Sequence, residues 1–547
     1  MLKVLPLGGL GEVGLNNMLF EHGGERMLVD CGVLFPRAEM PGIDVIVPDF
    51  GLIAHEAHSL KGVVLTHAHE DHIGALPWLL RAARVPIYGT RFTLAVVASK
   101  LAELGIDAEL HEVVPGNPFK VGREFQVEMI HVTHSTPHAV GLYVRTSSAT
   151  LVHTGDFKLD ATPMLGAPTD EARFQELGKS GIDVLLSDST NAEVPGETAS
   201  EASVAAVLED IIKHAPGRVF VAMFGSQMER VSHLAQAALR TNRRLVILGR
   251  SLDRNVRLAE RCGLFSIPPT LRAEPEEAAT FPRDRVVVVC TGAQGEVVAA
   301  LSHLVAPDST RPLRVEKGDT VVLSSRAIPG NEPIVSDLIG KILSKGARAL
   351  YPRIAPGVHT SGHAAQEEQK RLIDWVKPKV FMPVHGERRQ LQAHLDLAQS
   401  VGVPTEGLTL ALDGDLVGIA HGRATREGHI PVGRQYALRD SDGHVPLHSI
   451  TQRQEIAAGG VLTVAVALNA DGLLAQSAAV AGLGLSNQEE AFLSLVADAI
   501  RVDLEGLPRP ARGDDARVKD AIVQCVRRKF RQLSGKRPSL IVSLLRV

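Results

Sequence analysis

Thr66-His67-Ala68-His69-Glu70-Asp71-His72-Ile73-Gly74 packs three imidazoles and the carboxylate of Asp71 into six residues. The apolar run at residues 63–66 leads into it and predicts a strand, which puts His67 and His69 on one side of an extended segment. Asp71 and His72 stand where a helix would begin. Nitrogen and oxygen donors of this kind suit zinc, manganese or iron. The plain alternative is a surface histidine cluster. Such a cluster has no reason to be anchored on a strand or matched by ligand-type residues further along.

Those further residues are present. His134 follows the alternating run at 128–133, Asp156 follows 150–154, and His385 follows 380–384. Each is a ligand-type side chain at a predicted strand end, where α/β enzymes place their sites. Singly, each would pass for a structural polar residue. Together His67, His69, Asp71, His72, His134, Asp156 and His385 make a two-metal set, with Asp156 as the carboxylate that bridges ions roughly 3.5–4 Å apart.

Around these residues, strands and hairpins open the chain: a run at 3–7, then 17–21 and 26–30 flanking Gly23-Gly24. Helical and extended pieces alternate to about Asp188. From about Ala199 to 353 the alternation continues with few histidines and reads as a separate α/β unit with a parallel sheet. His-rich motifs resume at His359, so one domain is interrupted by another. The expected boundaries are 1–198 and 354–425 for the interrupted domain, 199–353 for the insert, 426–449 for a linker, and 450–547 for a small C-terminal α/β domain.

The spaced ligands resemble the H-x-H-x-D-H signature and later His, Asp and His of the metallo-β-lactamase superfamily. The 229 residues from Asp156 to His385 exceed what a simple member needs, and the inserted unit narrows the resemblance to the β-CASP nucleases. Asp188 in Ser187-Asp188-Ser189-Thr190, His363 in His359-Thr360-Ser361-Gly362-His363, and His385 in Pro383-Val384-His385-Gly386 match that group's three further motifs. RNA-acting members carry His at the third, and DNA-repair members typically carry Val. Gly8-Gly9-Leu10-Gly11-Glu12-Val13-Gly14, Thr154-Gly155-Asp156-Phe157-Lys158 and Ala327-Ile328-Pro329-Gly330-Asn331-Glu332 resemble the ribonuclease J family across nearly the whole chain. Leu15 departs from it, where many members have Lys.

The resemblance implies a fold: an αββα metallo-β-lactamase sandwich interrupted by an α/β β-CASP domain, with a small C-terminal domain. It implies two divalent ions, zinc or manganese. It implies 5′-to-3′ exonuclease and endonuclease action on single-stranded RNA, in RNA maturation and mRNA decay. Attack by an activated water would expel the 3′-oxygen and leave a 5′-phosphate, with His363 as general acid and Asp188 holding its ring. A phosphate-binding role for His363 is the alternative. His359, Thr360, Ser361, Gly362 and His363 suit a terminal phosphate, and Gly225, Ser226 and Gln227 form a second anion candidate or a plain strand-to-helix turn. Asp44 and Asp440 match positions where some members hold calcium. A homodimer or homotetramer, and an RNA helicase or other decay enzymes as partners, are further implications.

The segment Gly9-Leu10-Gly11-Glu12-Val13-Gly14 also fits G-x-G-x-x-G, but a dinucleotide site needs a helix there, and a hairpin is predicted instead. Asp30, at the end of its run, is expected to orient a histidine of the metal set.

Composition adds limits. Hydrophobic residues are 45% and charged residues 22%, as in ordinary globular proteins. Aromatics at 4% argue against a surface built to stack many bases, and a net charge of −4 excludes a uniformly basic nucleic-acid coat. The basic run of Arg527, Arg528, Lys529, Arg531, Lys536 and Arg537 is a local RNA or subunit contact or a solvated helix face. Cys31, Cys262, Cys290 and Cys525 form no C-x-x-C pair and read as reduced thiols in a cytoplasmic protein. No signal segment and no apolar stretch of about 18 residues is apparent. Competing readings are a small-ester or lactam hydrolase on the same metal core, a DNA nuclease of the same group, and a non-catalytic RNA scaffold.

Overall fold

The structure, a computed structural model, describes residues 1–37, 39–296, 299–307, 309, 311–328, 330–438 and 443–547. Within residues 1–35 and 46–434, two sheets share one apolar core. The first has eight strands in the order Arg423–His429, Asp415–Ala420, Leu2–Gly8, Asn17–His22, Glu25–Val29, Leu60–Val64, Ile87–Gly89 and Leu110–Glu112. The second has six, in the order Val380–Val384, Val184–Asp188, Thr150–His153, Val140–Arg145, Phe125–His131 and Phe119–Val121.

Period-two alternation explains the layering. Val184 and Leu186, like Val380, Met382 and Val384, enter the core shared with Val4, Phe20, Met27 and Val64 of the first sheet. Leu185 and Phe381 point the other way, onto Phe174, Leu372, Ile373 and Leu395 of helices Glu171–Ser180, Gln366–Val376 and Arg388–Ser400. Helix Arg91–Glu103 packs on strands Ile87–Gly89 and Leu110–Glu112. The result is the expected αββα sandwich.

The interruption falls between two adjacent strands. The chain leaves the second sheet at Asp188 and returns at Val380 directly beside it, with Val184 paired to Val380 and Asp188 to Val384 in parallel. In between it builds a five-stranded parallel sheet, ordered Arg244–Leu248, Val286–Cys290, Val219–Ala222, Thr320–Leu323 and Arg348–Leu350. Its core includes Phe220, Val288, Val321, Leu338 and Ile342.

A second unit comprises Pro36–Val45 and Gln435–Val547. Strand Val461–Leu468 pairs in parallel with Ser539–Arg546 and antiparallel with Ala479–Leu483. Leu462, Val464 and Val466 pack with Val496, Ile500, Val518, Ile522 and Phe530 of helices Leu493–Gly506 and Asp515–Ser534. Arg527, Arg528 and Arg531 are exposed on the last helix and Lys529 is half-buried; Arg528 pairs with Asp503 at 2.5 Å.

Two stretches differ from the sequence reading. The connection expected over 426–449 takes in the end of strand Arg423–His429 and the first turn of helix Leu447–Gly459. That strand sits at the edge of its sheet, exposed along most of its length, so it carries no alternating apolar signal. In the C-terminal unit a turn at Ala491-Phe492 separates helices Asn487–Glu490 and Leu493–Gly506. Among the described residues no helix is long and apolar enough to cross a membrane.

Candidate metal centre

Asp156 sits where the strand ends converge. Its Oδ2 lies 3.2 Å from His72 Nε2, 3.5 Å from His67 Nε2 and 3.8 Å from His134 Nε2, and its Oδ1 lies 2.7 Å from His385 Nδ1. Three groups of ligand atoms, each within 4.8 Å of one another, share this carboxylate: His67, His69 and His134; Asp71, His72 and His385; and Asp188, His363 and His385. All seven residues of the expected metal set are thus in one place.

Local structure aims each ring. His69 caps helix Glu70–Ile73 with extended backbone, so the chain turns just where Asp71 and His72 must face inward. Asp30 Oδ2 accepts from His72 Nδ1 at 2.7 Å and from Thr66 Oγ1 at 2.8 Å, while Thr66 Oγ1 lies 3.0 Å from His67 Nδ1. One carboxylate therefore orients two histidines, as expected of Asp30. His134 Nδ1 donates to the Gly362 carbonyl at 2.6 Å, which leaves Nε2 for the cluster. Asp30 and His385 hold φ of +60° and +51°, strained for side chains with a Cβ and typical of functional sites.

The donors fit divalent cations. His67 Nε2 and His134 Nε2 approach His69 Nδ1 to 3.0 and 3.1 Å. Burial, the largest influence, pushes His67 and His134 well below the ordinary histidine value and His69 down to about 4, so these three are neutral and offer lone pairs. Around Asp71 the balance reverses. Burial opposes charge on His72, yet Asp156, Asp71 and Asp30 raise its pKa well above the usual value. Burial opposes charge on His385 too, but the charge and hydrogen bond of Asp156 push it up to about 10. Protons there balance several carboxylates, which is the place for a cation's charge. Among the described residues the buried His385 Nε2 has no hydrogen-bond partner, and it lies 3.5 Å from Asp71 Oδ2. The protein uses divalent metal, and this cluster is where the donors for it converge.

At the edge of the cluster, His363 Nδ1 donates to Asp188 Oδ2 at 2.7 Å. Burial disfavours the charged ring, but the adjacent Asp188 carboxylate outweighs it and raises the His363 pKa. Asp188 Oδ1 also accepts from Thr190 N and Oγ1.

The expected phosphate loop divides. Ser361 Oγ accepts from Asn191 Nδ2 at 2.9 Å and from His363 N at 3.1 Å, so its own O–H remains to be given. Gly362 is required: a Cβ there would meet His134 Cε1 and Ser135 Oγ at 2.8 Å. Thr360 Oγ1 donates instead to the Ala199 carbonyl, and His359 Nδ1 lies 3.3 Å from the buried guanidinium of Arg230. These two anchor the loop to the chain entering the insert at Ala199 and to helix Met228–Arg240 within it. In the second candidate, Gly225 O accepts from Asn255, Gln227 is buried and caps helix Met228–Arg240 without a side-chain bond, and Ser226 Oγ lies 3.0 Å from His69 Nε2. Asp44 N donates to the Ala437 carbonyl, and Asp440, its expected calcium partner, lies outside the described residues.

Sequence reasoning missed Asn16, whose Nδ2 lies 3.0 Å from His72 Nε2, and Gly32, where a Cβ would fall 1.6 Å from the Asp71 carbonyl oxygen. It also missed Asn191. The glycine-rich turn at 9–14 is followed by strand Asn17–His22, not a helix, so the dinucleotide pattern is a coincidence.

Four family models match the chain: a beta-lactamase superfamily domain over residues 26–206, the ribonuclease J beta-CASP domain over 216–342, a Zn-dependent metallo-hydrolase RNA specificity domain over 350–406, and the ribonuclease J C-terminal domain over 448–547. A ribonuclease J from Sinorhizobium meliloti is 37% identical, the match covering 100% of this chain and 97% of that one. One from Helicobacter pylori is 35% identical over 99% of this chain and 79% of its own length. A crystal structure of a protein of unknown function from Enterococcus faecalis V583 is similar with a TM-score of 0.53, at 16% identity, over 76% of this chain and 99% of that one; it shares the fold.

Proposed function

The chain belongs to the ribonuclease J family, and from that premise we propose that it degrades single-stranded RNA 5′ to 3′, cuts it internally, and leaves 5′-phosphate ends. It is a metallo-hydrolase that acts on RNA. The observation that carries the finer reading is Asp156, shared by all three ligand groups, one of which contains the His363–Asp188 pair.

In this reading His67, His69 and His134 would hold one ion and Asp71, His72 and His385 another, with the Asp156 carboxylate common to both sets. When bound, a pair of divalent cations would activate a water and neutralise the non-bridging phosphate oxygens. The chain's own groups do the rest. His363 keeps Nδ1–H on Asp188, and its Nε2–H protonates the departing 3′-oxygen as the P–O3′ bond breaks. Asp188 stays ionised and stabilises the charged ring. Ser361 O–H and the amides beside Gly362 receive the terminal phosphate, which sets the register for removal of one nucleotide at a time. Asn191 holds this loop through Ser361 Oγ and the His363 carbonyl. Zinc or manganese as the native pair, calcium near Asp44, a homodimer or homotetramer, a helicase or other decay enzyme as partner, and a cytoplasmic setting complete the proposal.

The test uses 5′-labelled RNA bearing a monophosphate or a triphosphate, with matched DNA, in the presence and absence of a chelator. Metal-dependent release of 5′-mononucleotides from monophosphate RNA is expected. Equal cleavage of the DNA, or products ending in 3′-phosphate, overturns it.

A further inference from the structure

We infer that Ser226, on the inserted unit, is a positioning residue for a metal ligand of the other domain, His69; this rests on the metal reading above. His69 Nδ1 is the ring atom facing His67 Nε2 and His134 Nε2, at 3.0 and 3.1 Å. An imidazole that gives the Nδ1 lone pair to a cation carries its proton on Nε2, and that N–H needs an acceptor to fix tautomer and ring angle. Ser226 Oγ lies 3.0 Å from Nε2, whereas Ser135 Oγ stands at 3.5 Å.

The backbone that carries this hydroxyl is held on both sides. Ser226 lies between strand Val219–Ala222 and helix Met228–Arg240, and its carbonyl accepts from Met228 N at 2.9 Å. Asn255 Nδ2, on helix Arg250–Arg261, donates to the neighbouring Gly225 carbonyl at 2.8 Å. A Cβ on Gly225 would come within 3.0 Å of Ser251 Oγ, so the loop lies close against that helix. The placement of the inserted unit therefore sets the aim of His69. By linkage, a cation among His67, His69 and His134 favours the docked insert as much as docking favours the cation.

The experiment titrates the full-length, chelator-stripped protein with Mn²⁺ by calorimetry. Wild type should take up two ions. Ser226→Ala should weaken one of them by about 10- to 100-fold, the usual effect of losing such a partner, and leave the other unchanged. Ser226→Thr should restore it, and Asn255→Ala should weaken the same ion less. The preference for 5′-monophosphate RNA, and the unfolding midpoint of the stripped protein, should match wild type in Ser226→Ala. Two ions bound as in wild type overturn the inference. So does lost 5′-end preference with intact metal binding, which would return Ser226 to the substrate pocket, or a lowered stripped midpoint, which would make it a packing residue. A wild type that takes up no ion sinks the metal reading itself.

Discussion

His363 Nδ1 and Asp188 Oδ2 meet at 2.7 Å although 175 residues of chain separate them. Asp188 is 1% exposed at its side chain and His363 21%, so the carboxylate is sealed in while the ring reaches solvent.

That arrangement predicts a proton donor. His363→Ala should slow the chemical step by about 10² to 10⁴, with the bridging metal group intact. Asp188→Asn should cost less, because it keeps the shape and removes the charge, and the two effects should not add. Single-turnover rates on RNA with a bridging 3′-sulfur decide the matter. That leaving group needs little protonation, so a variant slowed equally on both substrates would leave His363 a phosphate contact only.

Metal retention should track the two groups. His69→Ala or Asp71→Ala should abolish RNA hydrolysis in a protein that still folds, and Asp156→Ala should lose both ions because it serves both. Metal analysis after gel filtration, with circular dichroism as the folding check, reads this out. Wild-type turnover in either of the first two variants contradicts the ligand assignment.

Cation uptake should release protons. The pKa of His385 is raised to about 10 and that of His72 is also raised. His385 therefore holds its proton in the cation-free protein below about 10, His72 is shifted the same way by its carboxylate neighbours, and a coordinating nitrogen must shed its proton. The sign follows: affinity rises with pH, by up to about tenfold per pH unit for each proton released, throughout the range below about 10 where His385 is still protonated in the cation-free protein. Titration in buffers of differing ionisation enthalpy counts the protons. Affinity that is flat over pH 6.5 to 9 would contradict the raised values.

At the phosphate loop, Ser361→Ala removes both the free O–H and the acceptor that holds Asn191 and His363 N. The rate on 5′-monophosphate RNA should fall by about tenfold or more, the worth of a hydrogen bond to a charged group. Internal cleavage should change less. Parallel loss of both activities would place Ser361 in the general architecture of the cluster instead.

Much of the fold was legible because its signals are local. Strands such as Arg244–Leu248, Val286–Cys290, Thr320–Leu323 and Val380–Val384 are compact apolar runs, and they formed where those runs lie. Strand Arg423–His429 was not legible, since an exposed edge strand is recruited by its neighbour's unpaired backbone and needs no apolar pattern.

The metal set was also legible. Period-two spacing puts His67 and His69 together whatever the rest of the chain does, and His134, Asp156 and His385 stand at the ends of apolar strands that the core must align. What only the tertiary structure decided is which atom of each ring faces inward and what holds it there. His72 is turned by Asp30, His134 by the Gly362 carbonyl 228 residues away, and His69 by Ser226 from the inserted unit. Thr360, equal to Ser361 as a sequence candidate, gives its hydroxyl to Ala199 instead. Such pairings leave no trace in a local window, because a hydrogen bond between distant segments forms only after the two cores have closed and brought them into register.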